Sequence, residues 1–401
     1  MFNYQYKCII LLLVSIRKMN NFEPKQFPNQ TGHIIFYKDN VTDHLSESYR
    51  MGKRNGFVPT ALFSNIRRGF AVPFMADDKL EKLTQKESRF IDSIEPDLEV
   101  QAFAQEVPWG VGRIGATAST SSATINNTGP DATVHIFVLD TGVSPHPDLN
   151  VVEAKSFVPA ETSVLDLNGH GTGVAGVAAA RDNTVGVVGI APGAPIHSYK
   201  CLDKAGSGSY SAIIAALDSV VGWKLKNPTQ LAVVNMSLGG YTGTFTYTVL
   251  DSTVQKVINQ YNIPVVVAAG NSGDLAALYS PAHTVEAITV GAYNAVNTVT
   301  SWSNYGSVVD IQAPGANILT TSYDARRKKY GFVTYNGTSF SCPHVAGAVA
   351  LYLSRFPTAT PADILTQLKT IGQAALTAGT NPAITSLFPN TTNLSVFVAA
   401  V

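Results

Sequence analysis

At roughly 100–200 residues per domain, a chain of 401 residues holds two or three folding units. It is 45% hydrophobic and 14% charged, which supplies a large core and excludes a disordered composition. The 28 basic residues balance the 28 acidic ones, leaving no electrostatic footprint for nucleic acid or an anionic membrane, so the substrate is sought among polypeptides or small molecules.

The amino terminus reads as an address. Lys7 precedes an apolar run over 8–16, and Arg17 and Lys18 follow it. Such a run fits a signal-peptide core and falls short of the roughly 20 residues that span a bilayer. No A-x-A cleavage signal follows, and a start at Met19 would leave the protein cytoplasmic. Residues 1–20 are read as a signal peptide and the protein as secreted, without a stable membrane span. Sequons at Asn29, Asn40, Asn126, Asn390 and Asn393 are compatible with that route.

Residues 30–103 are charge-rich and poor in glycine. They predict strands over 33–38, 69–74 and 94–103, with helices over 41–53 and 77–91. In the second helix Leu80, Leu83, Phe90 and Ile91 fall near helical spacing. The pattern is that of a small α+β sandwich.

From about 108 onward the chain turns rich in Gly, Ala, Val and Ser. Apolar runs at 134–139, 232–236, 264–269 and 287–290 predict buried parallel strands. Helices are predicted over 210–224, 247–261 and 341–355, with Pro343 placed in a first turn. Alternating strands and helices give a doubly wound parallel sheet with helices on both faces, the α/β class. Ligands in such folds bind beyond the carboxyl ends of the strands.

Cys8, Cys201 and Cys342 carry no metal-ligand spacing, and the latter two read as buried free thiols. Three other residue types converge on one chemistry. Asp140 directly follows an apolar strand, where a carboxylate is costly unless something binds it. His170 is bracketed by glycines in Asn168-Gly-His170-Gly-Thr-Gly, opening a helix of small residues that can approach a sheet closely. Ser339, in Gly337-Thr-Ser339-Phe-Ser-Cys-Pro343, stands where a loop becomes a helix whose dipole favours developing negative charge. Singly these read as a turn cap, a core histidine and a helix cap. Together they provide a hydroxyl, a base that can deprotonate it near neutral pH, and a carboxylate that fixes the base's tautomer. Asn271, in Ala268-Ala-Gly270-Asn271-Ser-Gly273, offers an amide donor for an oxyanion.

Taken in the order Asp140-Thr-Gly, His170-Gly-Thr-Gly, Asn271-Ser-Gly and Gly337-Thr-Ser339, these motifs resemble the subtilisin-like serine proteases (subtilases), and most of all the proteinase K branch. The similarity runs from about 108 to the carboxyl end and includes the segments 206–210, 235–240 and 303–310. An esterase motif G-x-S-x-G is absent around Ser339. The resemblance implies a serine endopeptidase working through an acyl-enzyme, with no cofactor for catalysis. It places an extended peptide between a strand near Gly206, Ser207 and Gly208 and the loop Ser237, Leu238, Gly239 and Gly240, with Ala268 and Gly270 nearby. Broad, apolar-leaning specificity and a monomeric enzyme follow. Residues 30–103 resemble the family's inhibitory I9-type propeptide, a ferredoxin-like α+β domain, which the 107–401 catalytic domain would cut off within 100–106. Structural calcium is implied at Asp310, although a neighbouring ligand's proline is Val285 here. Gly173 stands where a second histidine is usual, and Phe340 where methionine is usual.

Overall fold

The computed structural model describes residues 30–65, 67–98, 105–116, 134–159, 161, 163–243, 247–380, 382–386 and 388–398. The signal-peptide reading and positions 100–104 of the proposed junction lie outside them. Two compact units, Met1–Ala102 and Phe103–Val401, divide the chain.

In the first unit the order is β1 Gln30–Tyr37, α1 His44–Asn55, β2 Ala61–Phe63, β3 Gly69–Pro73, α2 Asp77–Lys86 and β4 Ile91–Leu98. The strands pair antiparallel in the order β2-β3-β1-β4. Ile35, Tyr37, Phe70 and Val72 from the sheet meet Met51 and Leu83 from the two helices in one core. The expected α+β sandwich is therefore present. The second helix stops at Lys86 and not at 91, because Glu87 turns inward. Its buried carboxylate accepts from Arg54 Nε at 3.1 Å, Arg54 Nη2 at 3.0 Å and Asn55 Nδ2 at 2.9 Å, all at the end of α1. Ile91 is thereby released to the sheet core, and β2, too short to show alternation, adds an unexpected edge.

The second unit runs α3 Trp109–Arg113, β5 Val134–Asp140, β6 Val151–Ser156, α4 His170–Ala179, β7 Ile196–Lys200, α5 Tyr210–Lys226, β8 Leu231–Met236 and β9 Gly240–Tyr241. There follow α6 Val249–Tyr261, β10 Val265–Ala268, β11 Tyr279–Ser280, β12 Ile288–Tyr293, β13 Ile311–Pro314, the hairpin β14 Ile318–Asp324 and β15 Lys329–Tyr335, α7 Thr338–Arg355 and α8 Pro361–Thr377. A parallel seven-stranded sheet has the order β13-β12-β10-β8-β5-β7-β6.

Strand β5 shows why the run is apolar at every position but His135 and the terminal Asp140. Val134, Ile136 and Val138 pack with Val174 and Ala178 of α4 and Val345 and Val349 of α7. Phe137 and Leu139 pack with Leu217 of α5 and Val254 of α6 on the other face. Both faces are covered, as a doubly wound sheet requires. The first strand in sequence lies between β8 and β7, so the chain leaves it in both directions. A crevice opens at the carboxyl ends of strands so arranged.

Candidate active site

Asp140 is the last residue of β5 and is wholly buried. Its Oδ1 accepts from the Thr141 amide at 2.7 Å and from His170 Nδ1 at 2.8 Å. His170 is the first residue of α4, which comes this close because it is made of small residues. A side chain at Gly171 would collide with the carbonyl of Gly142 and sit 3.1 Å from Asp140 Cβ. With Nδ1 committed to the carboxylate, Nε2 is the ring nitrogen left for the cleft that His170 lines. Burial alone would push this imidazole below its ordinary value. The Asp140 carboxylate, by charge and by hydrogen bond, and then Asp166, outweigh it, so His170 titrates above its usual range.

Ser339 sits in the first turn of α7 behind Gly337, whose φ of 147° and ψ of 154° suit glycine alone. Its Oγ donates to the Ser237 carbonyl at 3.2 Å, and no hydrogen bond joins it to His170 among the described residues. Nucleophile–base bonds often tighten only when substrate binds. Because α7 begins at Thr338, Pro343 lies in its second turn and not its first. Proline has no N–H for the carbonyl four residues back, which belongs to Ser339. The Ser237 hydroxyl takes up that carbonyl at 2.7 Å, and Asn235 Nδ2 donates to the same hydroxyl at 3.0 Å. The proline thus ties the Ser339 backbone to the wall of the cleft.

The orientation of Asn271 is fixed by its oxygen. Oδ1 accepts from the Thr338 amide at 2.8 Å and the Thr338 hydroxyl at 2.9 Å, which leaves the Nδ2 donors for the cleft. The loop that carries it hangs on Asn304, which the sequence did not single out beyond its segment. Asn304 Oδ1 accepts from the Ser272 and Asp274 amides at 2.9 and 3.2 Å, and its Nδ2 donates to Ala269 O at 2.9 Å.

His170, Asn271 and Ser339 line one cleft of about 650 Å³ together with Gly206, Ser207, Gly208, Ser237, Leu238, Gly239, Gly240, Ala268 and Gly270. Asp140 stands behind it. The segment 206–209 forms no regular strand: Gly206 is a bend and the chain then runs to an extended Ser209. Asp203 holds it by accepting from Ser207 N at 3.0 Å, and Ser209 then caps α5. Lys200 was also unanticipated. Its wholly buried ammonium donates to Thr141 O and Leu202 O, each at 2.9 Å, and pairs with Glu161 at 3.0 Å. The unusual Gly173 and Phe340 explain one another. Phe340 stacks on Tyr335 at 4.6 Å, and a Cβ at position 173 would sit 2.9 Å from Tyr335 and 3.1 Å from Phe340.

Asp310 does not fit the calcium role. Its Oδ1 is paired with Lys369 Nζ at 2.7 Å and its Oδ2 accepts from the Thr289 amide at 3.0 Å. Each oxygen of this carboxylate already meets a donor, and the ammonium at 2.7 Å neutralises its charge and repels a second cation. Among the described residues no group of three His, Cys, Asp or Glu side chains could hold a metal. Cys201 and Cys342 are free and buried, as expected. Burial pushes both thiols well above their ordinary range, so neither supplies a thiolate.

Chemically, the cleft can do what a serine hydrolase does: present a hydroxyl, orient a base beside it and stabilise an oxyanion. A family model described as the subtilase family, Peptidase_S8, matches residues 131–388, more than half of the chain. Over 298 residues the chain is 41% identical to subtilisin NAT of Bacillus subtilis subsp. natto, covering 73% of each. It is 40% identical over 279 residues to an alkaline protease of Alkalihalobacillus alcalophilus, covering 70% of this chain and 68% of that one. The crystal structure of a cold-adapted subtilisin-like serine proteinase superposes with a TM-score of 0.58 at 32% identity, over 73% of this chain and 98% of the other. The chain belongs to the subtilase family and is a serine endopeptidase of the subtilisin type, a class whose catalysis needs no cofactor.

Proposed function

We propose that Asp140, His170 and Ser339 are the triad of a secreted endopeptidase that is made as a precursor and releases itself by cleavage within 100–106. The observation that carries the reading is the 2.8 Å bond from a buried Asp140 to His170 Nδ1, which turns the other ring nitrogen toward the cleft where Ser339 and Asn271 also stand. His170 Nε2 takes the Ser339 proton as Oγ bonds to the peptide carbonyl carbon. The oxyanion that forms is met by Asn271 Nδ2 and the Ser339 amide, an N–H in the helix's first turn without an intrahelical partner. The imidazolium, stabilised by Asp140, then gives its proton to the leaving amine, and water repeats the sequence on the acyl-enzyme.

A peptide laid between 206–208 and 237–240 would present backbone to backbone, which reads little sequence and favours broad specificity. Leu202, Leu238 and Ala268 give the cleft its apolar lean. The groups named in the site all lie within this chain, which supports the reading of a monomeric enzyme. The separate core of the first unit, and a division at Ala102 that falls inside the proposed junction, support its reading as an inhibitory propeptide. Secretion rests on the apolar run over 8–16; no described helix is long and apolar enough to cross a membrane. The finer likeness to the proteinase K branch rests on the segments 206–210, 235–240 and 303–310.

The test is hydrolysis of casein by the purified protein, abolished by a serine-directed covalent inhibitor; persistence of hydrolysis in saturating inhibitor would sink the reading. Asn271→Leu should lower kcat by about 10²–10³ with little change in KM, a magnitude carried over from another subtilisin. Steady-state kinetics on a peptide anilide would show it, and an unchanged kcat would remove Asn271 from the oxyanion site.

A further inference from the structure

We propose that Asp166 is a positioning residue which, through Thr141, locks the acid Asp140 and the base His170 into one rigid unit; this rests on the triad assignment above. Asp166 is wholly buried in the loop before α4, and its carboxylate takes five donors. Oδ1 accepts from Thr141 Oγ1 at 2.8 Å, Asn168 N at 3.0 Å and Gly169 N at 2.7 Å. Oδ2 accepts from the Thr172 amide at 2.8 Å and the Thr172 hydroxyl at 2.7 Å. Thr141 Oγ1, having given its proton to Asp166, accepts from Gly171 N at 2.9 Å.

The consequence is geometric. Gly171 and Thr172 follow His170 in the first turn of α4, where amides lack intrahelical partners. One carboxylate and the hydroxyl it holds collect these amides, and its charge suits the positive end of the helix. Thr141 follows Asp140 in sequence, and its amide donates to Asp140 Oδ1 at 2.7 Å. Strand end and helix start are therefore joined twice: once by the Asp140–His170 bond and once, behind it, through Thr141 and Asp166. A single bond between two elements leaves a hinge. The second connection removes that freedom and holds the imidazole at one angle to the cleft.

The titratable groups around this imidazole are Asp140 on β5, Asp166 in the loop, Tyr335 on β15, whose hydroxyl donates to Gly169 O at 3.4 Å, and Lys200 on β7, bonded to Thr141 O. Both carboxylates raise the His170 value.

The test is turnover per active site, with sites counted by burst titration so that misfolded protein drops out. Thr141→Val keeps the shape and removes the relay, and should cut kcat roughly 10–100-fold with KM little changed. Thr141→Ser keeps the hydroxyl and should restore kcat to within about threefold, a fraction of that loss. Asp166→Asn should slow turnover and shift the acid limb of kcat/KM to lower pH, since a negative charge near the base is removed; a merely structural role would not move that limb. If Asp166→Asn does not fold, the Thr141 pair decides. Wild-type turnover per site in Thr141→Val, or a Thr141→Ser enzyme as slow as Thr141→Val, overturns the proposal alone. An inactive wild type with no titratable serine overturns it together with the functional reading.

Discussion

Replacing Ser339 with alanine is expected to lower kcat by about 10⁶-fold, the loss known for the corresponding change in a subtilisin, and to leave the precursor uncut. Without Oγ no acyl-enzyme forms, and the remaining oxyanion donors and cleft supply only the roughly 10³–10⁴ over water that survives triad loss. The same variant should keep its fold. Ser339 is held through its backbone carbonyl to Ser237, and the Oγ bond to Ser237 O at 3.2 Å is a minor contact. Unaltered circular dichroism with an intact precursor band would therefore be seen together. Normal maturation of Ser339→Ala would show that another protease does the cutting.

Asp140→Asn is expected to cost about 10⁴ in kcat, because an amide beside Nδ1 favours the wrong imidazole tautomer. It should also move the pH profile in a defined direction. His170 must be neutral to accept the Ser339 proton, so kcat/KM falls as pH drops through its pKa. Burial is the largest influence and lowers that value, but Asp140 reverses it. The wild-type acid limb should then lie above the ordinary imidazole value of about 6.5. With Asp140 neutralised, burial is left opposed only by Asp166, and the limb should move to lower pH. A limb that stays in place would mean that another group controls the acid side.

Much of this site could be read before any fold was known, and the reason is physical. A strand covered on both faces must be largely apolar, so the carboxylate of Asp140 at the end of Val134–Leu139 announces a partner. A helix pressed against that strand must be small, which the glycines around His170 declare. Other parts were hidden by context. Strands β6 and β7 carry Glu153, Lys155 and His197, which look solvated in sequence. They satisfy one another, with His197 Nδ1 at 2.8 Å and Lys155 Nζ at 2.7 Å from Glu153. Lys200 reads as a surface residue and is buried only because two carbonyls and Glu161 await it. Asp166 gathers most of its donors within six residues but reaches back 25 positions to Thr141, and Asn304 reaches back 35 to Ala269, pairings that no local pattern announces. Helix α8 carries its own start signal in four residues: Thr360 and Asp363 form a capping box around Pro361.

The departures from pattern have local causes. Lys369 carries the positive charge beside Asp310 that calcium was expected to bring, a substitution not visible in the Asp310 segment. Pro343 in the second turn of α7 frees the Ser339 carbonyl, and the Ser237 hydroxyl occupies it.

The proposed mechanism requires that the Ser339 hydroxyl, alone among the many serines of this chain, be made nucleophilic. Treating the active protein with a phosphonylating serine reagent and mapping the adduct by peptide mass spectrometry observes it directly. A single adduct on Ser339, rising in step with loss of peptidase activity and much slower in Asp140→Asn, is the predicted result. Full inactivation with Ser339 unmodified, or full activity with Ser339 modified, would contradict it.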